Sequence, residues 1–210
     1  GRQLRRMGRS ALDKLVADIR ACRICVEAPK GKPLGHEPRP VLRPSRTARI
    51  CLVGQAPGTR VHASGVPFSD PSGDRLRAWM GVTPEEFYDD AKLAIIPMGF
   101  CFPGLDAKGG DLPPRRECAE RWRARLFELM PQIELMLVVG QYAQAWHLGA
   151  ARKASLTETV AAWREYAPRA IPLPHPSWRN NAWVSKNPRF EAEVLPYLRR
   201  EVRRLMEVNQ

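Results

Sequence analysis

Apolar residues cluster in four short runs, each cut off by glycine or proline. They are Ile50–Val53 before Gly54, residues 93–96 before Pro97, Leu135–Val139 before Gly140, and Ala170–Leu173 before Pro174. Runs of this length without alternation predict strands buried on both faces. Between them the apolar spacing changes to three and four. Leu12, Leu15, Val16 and Ile19 predict a helix that Ser10 opens, with Asp13 completing a variant capping box. Leu76, Trp79 and Met80 predict a short helix over 74–80. Thr83-Pro84-Glu85-Glu86 supplies a cap, a first-turn proline and a glutamate at the third helical position. Trp122, Leu126 and Leu129 mark a helix over about 115–129, and another is expected from about Gln141. Asn187-Pro188 opens the last helix, which Pro196 should bend. Strands alternating with helices predict an α/β fold, a four-stranded parallel sheet covered on both faces. Residues 26–48 are rich in proline and basic residues, have no period, and read as a long ordered surface loop.

Composition narrows the class. With 210 residues and 44% hydrophobic content, the chain suits a single domain over 1–210, with 1–9 as a flexible basic N-terminal tail. There is no internal repeat and no domain-scale linker. No apolar run is long enough to span a bilayer, and no signal-peptide core follows the basic start Gly1-Arg2-Gln3-Leu4-Arg5-Arg6, so a cytoplasmic protein is expected. The net charge is +12, and residues 2–46 hold twelve Arg or Lys against four Asp or Glu. A polyanion is the natural partner and nucleic acid fits best, because the excess is mostly arginine, which pairs its donors on phosphate. The plainer reading is a solubility charge or a genomic arginine bias; salt-sensitive DNA binding separates the two.

Two chemistries stand out. Gln55 follows the first strand, and the carboxyl ends of parallel strands are where open α/β sheets bind ligands. Of five cysteines, Cys51 lies inside that strand and reads as a small buried apolar residue. Cys22 and Cys25 form a CxxC pair, and Cys101 and Cys118 flank a Gly/Pro-rich loop. Four such thiols in a cytoplasmic protein point to zinc or an iron–sulfur cluster rather than disulfides, although a lone CxxC is weak and free thiols stay open.

Three motifs in order carry a resemblance. Gly54-Gln55-Ala56-Pro57-Gly58 leads to Gly65-Val66-Pro67-Phe68, and His175-Pro176-Ser177 follows the fourth strand. Together with the cysteine order they resemble the uracil-DNA glycosylase superfamily, most closely its family 4, iron–sulfur branch, over about residues 10–205. The resemblance implies a three-layer α/β/α fold and a monomer that flips uracil out of DNA and hydrolyses its N-glycosidic bond. It implies a four-iron four-sulfur cluster on Cys22, Cys25, Cys101 and Cys118, with zinc in the same cage as the alternative. It makes Phe68 the ring on which the base stacks, beside Gly54, Ala56 and Ser177, and His175 the donor to the departing base. Trp178, Arg179 and Asn180 would enter the DNA minor groove.

The chain also departs from that branch. Gln55 stands where the branch carries glutamate, and an amide cannot act as a general base. The acidic residues common just afterwards are replaced by Thr59, Arg60, Val61 and His62. Asp70 becomes the nominee for activating water or facing a sugar cation, its plainer role being a turn or helix cap before Pro71. An Asn that reads uracil in the branch is missing from Ile96-Pro97-Met98-Gly99-Phe100, so hypoxanthine or xanthine is the alternative base. A non-catalytic damaged-DNA-binding module is the alternative class. Residues 102–117 hold no His, so ordinary turnover is expected rather than the covalent adduct of one related branch.

Overall fold

In the computed structural model, residues 2–207 are described, with side chains from residue 11 onward. The four strands are β1 (Ile50–Val53), β2 (Leu93–Ile95), β3 (Leu135–Val139) and β4 (Ala170–Leu173). They form one parallel sheet in the order β2-β1-β3-β4. Successive side chains point to opposite faces. Ile50, Leu52, Leu93, Ile95, Leu137 and Ile171 therefore join one core with the helices Pro71–Met80 and Leu195–Glu207. Cys51, Val53, Ala94, Ile96 and Val138 join a second core with Leu15 and Ile19 of the helix Arg2–Arg20 and with Trp122 and Leu126 of the helix Arg116–Glu128. The result is the expected three-layer α/β/α arrangement. Among the described residues no helix is long and apolar enough to cross a membrane.

Several boundaries move. The first helix begins at Arg2 rather than at Ser10, so its backbone runs through the stretch read as a tail. Arg, Gln, Leu and Met are all good helix formers, and nothing before Ser10 except Gly8 interrupts them. The helix expected over 74–80 starts at Pro71, because Asp70 caps it: its side chain accepts the Gly73 N–H. A helix at Thr59–Ser64 was not expected; it starts directly after Gly58 and closes on Gly65 at φ 73°. The capping box at Thr83 forms as read, opening the single turn Pro84–Phe87. Upstream of Pro196 the chain makes a π-helical turn, Phe190–Val194, before Leu195–Glu207 continues as α-helix. A widened turn there accommodates the ring and missing N–H of proline without ending the helix.

The loop over 26–48 is ordered because it closes the sheet's β2 edge. Arg43 exchanges backbone hydrogen bonds with Ile95, and Val41 N–H donates to Phe100 O, which shields an edge that would otherwise be open. On the other side Arg123, fully buried, donates to the carbonyls of Ile96 and Pro97 as the chain leaves β2. Burial and this guanidinium push the neighbouring His147 down to about 3, so it is a neutral acceptor for Arg123. The segment leading to Cys101 is thus held from both sides.

Candidate active site

The site forms where β1 and β4 end. After Val53 the chain turns through Gly54–Gly58, pinned by Met98 N–H to Gly54 O at 2.9 Å and Gly99 N–H to Gln55 O at 2.8 Å. The Gln55 amide lies across Gly140, where an added Cβ would stand 3.1 Å from its Nε2. That amide makes no side-chain hydrogen bond to the described residues, so its donor and acceptor are open.

Phe68 has φ 56°, an unfavourable backbone for a bulky L-residue. Its surroundings hold it there. Buried Arg77 donates to Phe68 O at 3.0 Å, and the Tyr88 hydroxyl donates to Pro67 O at 2.8 Å. Gly73 lies under the same carbonyl, where a Cβ would stand 1.9 Å from Phe68 O. The Phe68 ring meets Phe87 edge-on at 5.9 Å and covers Gly54, whose added Cβ would stand 3.2 Å from Phe68 Cζ. Gly54 thus leaves room for the ring to lie over the end of β1.

His175 follows β4 between two prolines. Its Nδ1 accepts the Ser177 N–H at 3.1 Å, and its carbonyl accepts Asn180 Nδ2 at 2.8 Å. Burial holds the imidazole below its ordinary pKa, while Asp70 and Asp111 pull it back up. With Nδ1 accepting, the proton of the neutral ring sits on Nε2, which is left free as a donor.

Gly54, Gln55, Ala56, Phe68, Asp70, Asp111 and His175 line one cavity of about 110 Å³. An apolar cavity of about 150 Å³ holds a benzene ring, so one planar ring is the right scale. Ser177 is outside the lining; its N–H fixes His175 and its Oγ accepts the Arg179 N–H, capping the turn Trp178–Asn180. Trp178, 54% exposed, opens that turn with Arg75 stacked against its ring at 4.5 Å. Arg75 also lies 5.3 Å from Trp79 and donates to Ser177 O, so two indoles and a carbonyl hold its guanidinium. Asn180 lines a neighbouring cleft with Arg152 and Gln141, on the far side of Gln55 and His175.

A model of the uracil DNA glycosylase superfamily matches residues 41–199. The chain belongs to that superfamily. Membership supports DNA glycosylase activity, with DNA as the partner. A solution NMR structure of a protein from Methanosarcina acetivorans, proposed there as a uracil DNA glycosylase, is also similar. It shares 14% identity at a TM-score of 0.42, over 76% of this chain and 94% of that one.

The superfamily match begins beyond Cys22 and Cys25, so the cysteine set stands on its own geometry. All four of Cys22, Cys25, Cys101 and Cys118 line a second cavity, closed by Pro38, Pro40, Phe100 and Trp122. None is paired in a disulfide. Trp122 Nε1 donates to Cys22 Sγ and Phe100 N–H to Cys118 Sγ, each at 3.3 Å. Among the described residues no three His, Cys, Asp or Glu converge tightly enough to grip one metal ion. Four thiols around one shared cavity, two of them accepting N–H donors, are a donor set that suits zinc or an iron–sulfur cluster. Cys51 is separate: it is fully buried in the second core, and burial pushes its thiol up to about 12.

One residue lining the first cavity escapes sequence reading. Asp111 comes from the loop between Cys101 and Cys118, and only the folded chain brings it to the first motif.

Proposed function

We propose that this chain is a monofunctional DNA glycosylase that hydrolyses the N-glycosidic bond of uracil, using a base pocket at the end of β1 and β4. The observation that carries this reading is that Phe68 and His175 share one ring-sized cavity, with His175 Nε2–H as its free donor. The nucleotide swings out of the helix and its base enters over Phe68. Stacking on an aromatic ring contributes about 1–3 kcal/mol against the few kcal/mol of unstacking. As the bond to the sugar lengthens, negative charge gathers on the base, and Nε2–H donates to the oxygen that receives it. Asp70 keeps one carboxylate oxygen on its helix cap and faces the growing positive charge on the sugar with the other. Gln55 offers both a donor and an acceptor to the base edge, in place of the missing Asn. Because an amide can match more than one base edge, hypoxanthine and xanthine remain substrates to compare.

Cys22, Cys25, Cys101 and Cys118 would hold a four-iron four-sulfur cluster, which supplies structural cross-linking rather than chemistry at the base. It would tie the segment after the first helix to the loop that delivers Asp111. The purified chain is expected to be brown and to hold iron and sulfide, and Cys101→Ser should lose both. A colourless chain with one zinc per molecule would overturn the cluster assignment.

Trp178, propped on Arg75, is assigned the space the base vacates, with Arg179 and Asn180 beside it at the DNA backbone. Trp178→Ala should slow excision from duplex DNA at least tenfold, about 1.4 kcal/mol, and affect single strands little, since these have no stack to part. Equal losses on both substrates would contradict the wedge.

The reading as a whole is tested with oligonucleotides carrying uracil, hypoxanthine or xanthine, followed by alkaline cleavage of abasic sites. Strand scission at uracil is expected. Scission only at another base reassigns the substrate. Tight binding without scission favours the damage-binding alternative.

A further inference from the structure

We propose that Asp111, delivered by the loop between Cys101 and Cys118, is the catalytic residue that activates water in this glycosylase, replacing the carboxylate that the first motif lacks at Gln55. The inference rests on the proposed glycosylase reading and deepens it.

The argument begins with where the sugar must lie. The base occupies the floor of the cavity, over Gly54 and against Phe68, so the C1′ atom one bond away sits at the mouth. Two carboxylates line this cavity, Asp70 and Asp111, and one oxygen of Asp70 is already committed. Asp70 Oδ1 accepts the Gly73 N–H at 3.1 Å as a helix cap. Asp106 Oδ1 accepts the N–H groups of Lys108 and Gly110, at 2.8 and 3.0 Å, and folds its own loop. The Asp111 carboxylate accepts no hydrogen bond from the described residues. It lines the base cavity and reaches over the first motif: a Cβ on Gly58 would stand 3.5 Å from its Oδ2.

The loop is built to hold it there. Leu105 and Asp111 form an antiparallel bridge, Leu112 N–H donates to Gly104 O at 2.9 Å, and Asp106 N–H donates to Gly110 O at 2.7 Å. Downstream, Arg115 anchors the strap by donating to Lys32 O and pairing with buried Glu117. Partial burial raises the Asp111 pKa above its ordinary value; His175 and Arg179 oppose that rise, while Asp70 and Asp106 add to it. A more basic carboxylate is a better proton acceptor near neutral pH.

The step balances without a further reagent. The C1′–N bond breaks and its electron pair leaves with the base, whose developing anion accepts a hydrogen bond from His175. The water oxygen bonds to C1′, and one water proton passes to Asp111. That proton then leaves to the base anion or to solvent, which restores the carboxylate.

The test compares Asp111→Asn, Asp111→Ala and Asp70→Asn with wild type on the oligonucleotide that wild type cleaves. Asp111→Asn should lower kcat by roughly 10²-fold or more while leaving affinity for the substrate DNA little changed. The acid limb of the wild-type pH profile, where activity falls as the carboxylate takes up a proton, should vanish with it. Added formate should restore part of the rate to Asp111→Ala, a rescue that a merely structural role would not give. Asp70→Asn, which loses the charge facing the sugar, should lower kcat but keep the acid limb that Asp111 sets. An Asp111→Asn enzyme with wild-type kcat and an intact acid limb overturns the assignment while the glycosylase reading stands. A wild type that releases none of the three bases removes both.

Discussion

His175→Ala is expected to slow base release by about 10²–10³-fold, equivalent to roughly 3–4 kcal/mol of lost transition-state stabilisation. Binding of substrate DNA should change little, because the donor matters only once charge has moved onto the base. The size follows from the site's geometry. Nδ1 is already occupied by the Ser177 N–H, so the neutral ring has one available donor, and it lies in the wall of the cavity. Burial keeps the imidazole below its ordinary pKa. The working form is then neutral, and raising the pH from 7 to 8 should not slow the wild-type enzyme by deprotonating His175. His175→Gln, which retains an N–H donor, should fall between wild type and Ala in single-turnover assays. If His175→Ala releases base at the wild-type rate, the imidazole has no part in the step.

The second large effect belongs to a residue with no side chain. Gly73→Ala places a Cβ 1.9 Å from Phe68 O and 2.9 Å from Phe68 Cβ. The first partner is backbone, so no rotamer change relieves the clash. Either the first turn of the helix Pro71–Met80 shifts, or Phe68 leaves its φ of 56° and the ring leaves the cavity floor. A stability loss of about 1–3 kcal/mol is expected in denaturant melts, the usual cost of overpacking. Activity should fall further than the fraction unfolded explains. Gly65→Ala is the control: nothing lies within 4 Å of its Cβ position, and only the left-handed backbone at φ 73° opposes the change. It should cost about 1–2 kcal/mol of stability and leave base release per folded molecule intact. Similar activity per folded molecule in the two variants would show that Gly73 does not position the ring.

The parts of the molecule legible in the sequence are those written locally. Leu135–Val139 and Ala170–Leu173 are strands at the residues their apolar runs mark, because glycine or proline stops each run. The cap at Thr83 needs only four residues and forms as read. The helix Thr59–Ser64 was hidden, since six residues between two glycines present only one buried apolar position, Val61. The start of the first helix was hidden too, because its opening turns are rich in arginine and offer only Leu4 and Met7 as apolar positions ahead of the Ser10 cap signal. At the site, Phe68 and His175 could be named from motifs, but what fixes them could not. Arg77, Gly73 and Tyr88 act on Phe68 across distances that no period reports. Asp111 is further removed, since it meets the first motif only after two cysteine-bearing segments have come together.

The helix Pro71–Met80 reaches two places at once. Gly73 and Arg77 set Phe68 from one flank, and Arg75 props Trp178 from another. The span between the indole and the benzyl ring is therefore fixed by ten residues of rigid rod, as the jaws of a caliper are fixed by its bar. A nucleotide rotating out of a stack would meet both supports on one and the same element.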